Sequence, residues 1–200
     1  MFKVYTSLFV FLLAFNLSQA AEEDITLKII NSKCKLCHGF NGEASNAIYP
    51  RLAGQHENYI IKQLHDFRNG RRKGTMNEMA ADLTDPQIDA LAKYFSSQPT
   101  LTHRVRDKEL AGVGQYIFYR GNKYSGVAAC ASCHGEKGEG NDQLPRIAGQ
   151  HKRYVSDQLN EFHERKRTND NAIMGSIASK LTELEIEAVA NFVSGLSDEP

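Results

Sequence analysis

The chain has 200 residues with 24 basic and 24 acidic side chains, so its formal charge is zero when histidine is neutral. This balance argues against a nucleic-acid-binding protein, in which a basic excess is expected. The length allows one or two small domains.

The first twenty residues are predicted to be a cleaved signal peptide. Lys3 supplies a positive start, residues 8–15 are apolar, and Ser18-Gln19-Ala20 supplies the small residues of a cleavage site. The apolar run is shorter than the roughly 20 residues of a membrane span, and an uncleaved anchor is the alternative. We therefore expect an exported protein that begins at Ala21, and peripheral association with a membrane is left open.

Helical periodicity recurs through the first half of the mature chain. Residues 24–33 place apolar side chains on one face, and residues 56–69 do so again as far as Gly70. The run Thr84-Asp85-Pro86-Gln87 predicts a helix start, with threonine as N-cap, proline in the first turn and glutamine at N3. Pro99 is expected to end that helix.

The second half of the chain shows the same pattern. Helices are predicted over residues 107–119, with Gly121 as the stop, and over residues 154–162. The run Thr182-Glu183-Leu184-Glu185 predicts a capping box that starts the last helix. The predicted fold class is therefore all-α.

The four cysteines occur in two copies of one five-residue pattern. Cys34-Lys35-Leu36-Cys37-His38 is followed 96 positions later by Cys130-Ala131-Ser132-Cys133-His134. A C-x-x-C-H run is typical of c-type haem attachment. Two thiols on one turn can form thioethers to the haem vinyl groups, and the histidine can then bind the iron. We predict two covalently bound haem c groups, held by Cys34, Cys37, Cys130 and Cys133.

Three other interpretations of the cysteines are weaker. A thioredoxin-like redox pair requires a βαβ pattern, and no strand-like alternation flanks either motif. A Cys₄ zinc site usually has its pairs about 15–20 residues apart. Two disulfides are the third alternative. Two copies of the motif within a longer repeat favour haem over all three.

The repeat extends well beyond the haem motifs. The block YPRLAGQH at residues 49–56 matches LPRIAGQH at residues 144–151, and the helical segments that follow also match. A repeat of nearly 100 residues indicates a duplicated domain, because solenoid repeats are about 20–50 residues long. We predict an N-terminal domain over residues 21–98 and a C-terminal domain over residues 107–200. A short polar linker, residues 99–106, joins them.

A methionine follows each haem histidine and is the predicted second iron ligand. Met76 aligns with Met174 at the same offset as the start of the following helix, whereas Met79 aligns with Ile177. We therefore assign Met76 and Met174 to the iron and Met79 to packing, although core packing is also the alternative role of any methionine. A thioether ligand raises the reduction potential and fills the sixth position, which favours an electron carrier over a haem enzyme.

Two C-x-x-C-H motifs, two P-R-[LI]-A-G-Q-H blocks and two late methionines resemble the dihaem cytochrome c4 family over residues 23–196. The resemblance implies two class I cytochrome c domains packed face to face, each with a few helices around one haem, and propionates near the interface. It implies a periplasmic electron carrier of a respiratory chain. The donor would be a quinol-oxidising complex or another redox protein, and the acceptor a terminal haem–copper oxidase.

The resemblance leaves two alternative functions and implies roles for single residues. A dihaem subunit of a dehydrogenase, for example a sulfide-oxidising flavocytochrome, is the nearer alternative, and a haem peroxidase is the more distant one. The axial iron ligands would be His38, Met76, His134 and Met174. The carbonyls of Pro50 and Pro145 would accept a hydrogen bond from the haem histidines, which fixes the ring tautomer.

Two histidines and two basic clusters also recur in the repeat. His56 and His151 start the middle helices, where a cap or interface role is expected in preference to iron binding. The basic clusters are Arg68, Arg71, Arg72 and Lys73, and Arg165, Lys166 and Arg167. We interpret them as solvated loops. Pairing with haem propionates and docking to an acidic partner are the alternatives.

Overall fold

The computed structural model describes residues 23–105 and 107–197. The predicted signal peptide lies outside the described residues. Within them the regular secondary structure is helical, apart from one isolated antiparallel bridge between Asn122 and Val127. None of the helices in this part of the chain has the length and apolar character needed to cross a membrane.

The described part of each half contains five helices in the same order. Helix α1 is helical over residues 23–29 and continues through a π turn at Ile30–Cys34. The other helices of the first half are α2 (Lys35–His38), α3 (Glu57–Arg68), α4 (Met76–Ala80) and α5 (Asp85–Ser96). Those of the second half are α6 (Lys108–Arg120), α7 (Ala131–His134), α8 (Lys152–His163), α9 (Ile173–Ala178) and α10 (Glu183–Ser194).

Capping boxes set where the last helix of each half begins. Thr84 N donates to Gln87 Oε1 at 3.0 Å at the start of α5. Thr182 N donates to Glu185 Oε2 at 2.8 Å at the start of α10. Such caps satisfy amide groups that the first turn leaves unpaired, and each contributes about 1 kcal/mol. The predicted starts of both helices are confirmed.

Each half has its own apolar core. In the first half α3 packs against α4 and α5. Ile30 of the π turn and Ile88 of α5 are fully buried in this core. In the second half α10 packs against α6 and α8 around Phe118, which is also fully buried. Gly114 allows α6 and α10 to approach closely, because a Cβ there would lie 2.0 Å from the carbonyl oxygen of Ala188.

The sequence pattern did not predict the two short helices at the methionines, α4 and α9. Helices α4 and α9 contain five and six residues, which is too few to show a helical period.

The linker that follows α5 lies against both halves. Thr100 fills the space beside Gly54, and Val105 fills the space beside Gly195.

Candidate haem sites and the interface between them

Each C-x-x-C-H motif forms one short helical turn that ends at its histidine. Helix α2 ends at His38 and α7 ends at His134. The glycine that follows has a φ of +73° at Gly39 and +83° at Gly135. Only glycine adopts such a conformation without strain, so it can turn the chain away directly after the histidine.

The four thiols are chemically available for haem attachment. The four cysteines lie within the described residues and form no disulfide with one another. Cys34 and Cys130 pack against the cores of their halves, and burial raises the pKa of each thiol to about 11. Residues 23–105 and 107–197 contain no cluster of three or more His, Cys, Asp or Glu side chains that could hold a bare metal ion. Two cysteines beside a buried histidine, in each half, fit thioether attachment of haem.

The ring of each haem histidine is buried and held by a proline carbonyl. His38 Nδ1 lies 2.9 Å from the oxygen of Pro50, and His134 Nδ1 lies 3.0 Å from the oxygen of Pro145. Burial lowers the pKa of both histidines despite this hydrogen bond, so both rings are neutral at pH 7. A neutral ring that donates its Nδ1 proton to a carbonyl has an Nε2 lone pair for iron.

The methionines lie at the start of the two short helices. Met76 is the first residue of α4, and Met174 is the second residue of α9. Each is partly buried against the core of its own half, and Met79 is partly buried as well. Burial does not separate Met76 from Met79, so the assignment of Met76 to the iron continues to depend on the repeat and stays a prediction.

The repeated A-G-Q-H blocks face each other and join the two halves. Gln55 binds the backbone of Arg146, because its Oε1 accepts from Arg146 N and its Nε2 donates to Arg146 O, each at 2.9 Å. Gln150 binds the backbone of Arg51 in the same way, at 2.9 and 3.0 Å. Both glutamines are buried. We call these two contacts the glutamine clamps.

His56 and His151 also contact the opposite half. His56 Nε2 lies 2.8 Å from the carbonyl oxygen of Glu139, and His151 Nε2 lies 2.6 Å from that of Ala44. Each histidine precedes the first residue of its middle helix, but neither side chain forms a capping hydrogen bond. The sequence predicted a cap or an interface role for these histidines, and both have the interface role.

One arginine of each basic cluster is buried in the interface. Arg72 and Arg167 are 8% and 7% exposed. Arg72 Nη2 donates to Tyr154 Oη and Arg167 Nη2 donates to Tyr59 Oη, both at 2.9 Å. The interpretation of the clusters as solvated loops is therefore wrong for these two arginines, because each is buried between an aromatic ring of its own half and a tyrosine of the opposite half. The other members are at least partly exposed.

Two glutamines connect the buried arginines to each other. Arg72 donates to Gln63 Oε1 at 2.8 Å and to Gln158 Oε1 at 2.5 Å. Arg167 donates to Gln158 Oε1 at 2.7 Å and to Gln63 Oε1 at 3.2 Å. Among the described residues, neither guanidinium forms an ion pair with a carboxylate. Two like charges thus share the same neutral acceptors at the centre of the interface.

The match to known proteins decides the family. The family model described as "Cytochrome c" matches residues 118–197, and the model described as "Cytochrome C oxidase, cbb3-type, subunit III" matches residues 23–95. Cytochrome c4 from Thiocapsa roseopersicina is 41% identical over 171 residues, which cover 84% of this chain and 88% of that protein. The chain belongs to the cytochrome c4 family.

Two further similarities agree with this assignment. The crystal structure of reduced recombinant cytochrome c4 from Pseudomonas stutzeri matches with a TM-score of 0.82 at 36% identity, covering 87% of this chain and 98% of that one. A thiosulfate dehydrogenase electron acceptor from Stutzerimonas stutzeri is 36% identical over 169 residues, covering 82% of this chain and 78% of that protein.

This cytochrome c4 is accordingly a dihaem electron carrier. It has two tandem, mostly helical cytochrome c domains and two covalently bound haem c groups. The predictions of family, fold class and cofactor are confirmed. As a carrier, it exchanges electrons with redox partner proteins.

Proposed function

We propose that this cytochrome c4 is a periplasmic carrier that passes electrons through a respiratory chain towards a terminal haem–copper oxidase. The observation that carries the proposal is the pair of equivalent sites. Each half combines two cysteines that form no disulfide, a buried histidine whose pKa is lowered by burial, and a partly buried methionine. The proposed axial ligands are His38, Met76, His134 and Met174. An iron with both axial positions filled passes electrons and has no vacant position for a substrate.

The protein groups around each haem would set its reduction potential. Haem supplies the one-electron couple when it is bound. The carbonyl of Pro50 or Pro145 keeps Nδ1 of the histidine protonated and fixes the ring orientation, which makes the ring a stronger electron donor. A stronger donor lowers the reduction potential, whereas the methionine thioether raises it because it favours ferrous iron.

The interface would keep the two haem sites at a constant separation. The glutamine clamps are buried hydrogen bonds between the halves, and breaking them would leave polar groups without partners. Arg72 and Arg167 are suited to pair with haem propionates, since both are buried without a carboxylate partner among the described residues. A constant geometry favours electron exchange between the haems.

Oxidation by a purified haem–copper oxidase tests the acceptor. Fully reduced protein is mixed with the oxidase in air, and the cytochrome absorbance and oxygen uptake are followed together. We expect complete oxidation, with one O₂ consumed for every two chains, because O₂ reduction takes four electrons. Protein that stays reduced with the oxidase, yet is oxidised at once by ferricyanide, would contradict this acceptor. Cyanide-inhibited oxidase is the control.

A second candidate is the electron acceptor or bound subunit of a dehydrogenase for sulfur compounds. It is favoured by the similarity to the thiosulfate dehydrogenase electron acceptor. Reduction of the oxidised protein by thiosulfate, strictly dependent on added thiosulfate dehydrogenase, would support it. A complex that stays together during purification would favour a bound subunit over a free carrier.

The proposed location has its own test. Mass spectrometry of the purified protein should show a chain that begins at Ala21 and carries two haems. Recovery in the periplasmic fraction should accompany this mass. A chain that retains residues 1–20 and sediments with membranes would contradict cleavage and export to the periplasm.

A further inference from the structure

The two haem-attachment segments are repeats of each other, but they differ where they face solvent. The first attachment face consists of Lys35, Leu36 and Phe40, and the second of Ala131, Ser132 and Glu136 at the equivalent positions. Leu36 is 78% exposed and Phe40 is 45% exposed, and Lys35 is exposed beside them. Ser132 and Glu136 are exposed on the second face. The first face is therefore apolar with a cation, whereas the second is polar and its anion Glu136 is followed directly by the exposed cation Lys137.

The first attachment face is held in a defined arrangement. The ring of Phe40 meets the ring of Tyr94 edge-on with their centroids 5.8 Å apart, and Tyr94 Oη donates to Phe40 O at 3.3 Å. Lys35 Nζ donates to Asn31 Oδ1 at 2.9 Å and forms no ion pair within the described residues. The face therefore presents a fixed aromatic ring and a charge that no neighbouring carboxylate neutralises.

Such a surface has the composition of a contact site for another protein. Exposed apolar side chains grouped together mark interaction sites, and aromatic residues are enriched in interfaces. Leu36 lies between Cys34 and Cys37, so it would lie close to a haem that these two thiols hold. A protein bound at this face would have its own redox centre near that haem.

We propose that the first attachment face docks a one-electron redox protein whose contact surface is apolar and edged by carboxylates. The inference rests on the proposed function, because thioether attachment would place a haem close to Leu36. Composition and charge select between the two faces, since the first has Leu36 and Phe40 beside Lys35, whereas the second lacks these apolar side chains and has Glu136 beside Lys137. The haem held by Cys34 and Cys37 would supply one electron from its ferrous state, and the partner's oxidised metal would accept it, with no bond made or broken.

The chain offers a matched control because the two faces can be exchanged. The triple variant K35A/L36S/F40E converts the first face into the second, and A131K/S132L/E136F does the reverse. The probe is plastocyanin, an acidic copper protein, in its reduced Cu(I) state. Both proteins are reduced, so binding is measured without electron transfer. The readouts are the dissociation constant and the changes in amide chemical shift of the isotope-labelled cytochrome.

In the wild-type protein, the chemical-shift changes should centre on residues 35–40, and added salt should weaken binding. K35A/L36S/F40E should weaken binding about tenfold or more, a loss of about 1.4 kcal/mol. The reverse variant should create a second footprint at residues 131–136. Changes centred on the second face, or unchanged affinity in K35A/L36S/F40E, would overturn the proposal. Self-association that the same variant abolishes would also overturn it, because the occupant would then be a second copy.

Optical spectra separate failure of docking from failure of the proposed function. Each variant is checked for two haems per chain and for the far-red band of an iron–methionine bond. Intact spectra with a misplaced footprint would overturn the docking site alone. Absence of that band in the wild-type protein would overturn the proposed iron ligands, whatever the footprint shows. The milder variant K35A/L36S keeps the test valid if F40E disturbs the contact with Tyr94.

Discussion

His38 and Gln150 bind the two ends of one peptide group. The carbonyl of Pro50 accepts from His38 Nδ1 at 2.9 Å, and the N–H of Arg51, in the same peptide group, donates to Gln150 Oε1 at 2.9 Å. The second half repeats the arrangement, since one peptide group accepts from His134 and donates to Gln55. Each haem histidine is thus connected to the opposite half through a single peptide group.

Replacing Gln150 should change the haem of the first half rather than that of the second. Hydrogen bonds in a chain strengthen one another, so Q150A should weaken the bond from His38 to Pro50. The ring then donates less electron density, and the first haem's reduction potential should rise by an amount on the order of 10 mV. Q55A should do the same to the second haem. Potentiometric titration with each haem's NMR signals assigned measures both potentials.

The control for this prediction is Q143A, because Gln143 is exposed and its side chain is outside the clamps. Q143A should leave both potentials unchanged. A shift confined to the second haem in Q150A, or equal shifts of both haems, would show that the peptide group does not carry the effect.

The sequence was most informative where structure is local. The starts of α5 and α10 could be predicted because the capping residues lie within one turn of each other. The covalent haem groups could be predicted for the same reason, since two thiols and a histidine lie within five residues. Haem attachment requires this fixed spacing, because both thiols and the histidine must reach the same haem.

The interface could not be predicted in the same way. Gln55 and Gln150 stood out as repeated residues, but a repeat does not say which atoms a side chain will meet about 90 to 100 residues away. Arg72 and Arg167 lie in basic runs that are usually solvated, and their burial depends on the opposite half supplying Tyr154 and Tyr59. The matching positions of the two arginines in the repeat were the only available signal.

Replacing Arg167 by methionine should destabilise the protein and lower the second haem's potential. The variant leaves Tyr59 and the buried glutamines short of a donor, at a cost of roughly 1–3 kcal/mol for each polar group left unpaired. Loss of a nearby positive charge favours ferric iron. Guanidinium denaturation and potentiometry measure the two effects. The control R165M removes an exposed charge two residues away and should change stability by less than about 0.5 kcal/mol. Equal effects of R165M and R167M would contradict the central role of Arg167.

Acidification should weaken the interface through His103 and His151. Burial lowers the pKa of both histidines, and Arg51 lowers both further, although Glu43 lies 3.2 Å from His103 Nε2 and acts in the opposite direction. Their folded-state pKa values lie below the unfolded value of about 6.5, so the unfolded chain binds more protons in that range. The stabilisation is therefore present at pH 7 and is lost as the pH falls towards 5.

Guanidinium denaturation of the holoprotein at pH 7 and at pH 5 measures this loss. The free energy of unfolding should be smaller at pH 5, and H103Q/H151Q should show a smaller difference between the two pH values. A free energy of unfolding that rises between pH 7 and pH 5 would contradict the prediction. If H103Q/H151Q loses as much unfolding free energy between pH 7 and pH 5 as the wild-type protein, the pH dependence arises from other groups.

The far-red charge-transfer band of an iron–methionine bond reports directly on the proposed iron ligands. Oxidised protein with two haems per chain should show the band at full intensity. M76L and M174L should each remove about half of it, the double variant should remove all of it, and M79L should leave it intact. Loss of half the band in M79L, with M76L unaffected, would contradict the ligand assignment. A native high-spin iron that binds cyanide readily would contradict two closed His/Met centres and favour a haem enzyme.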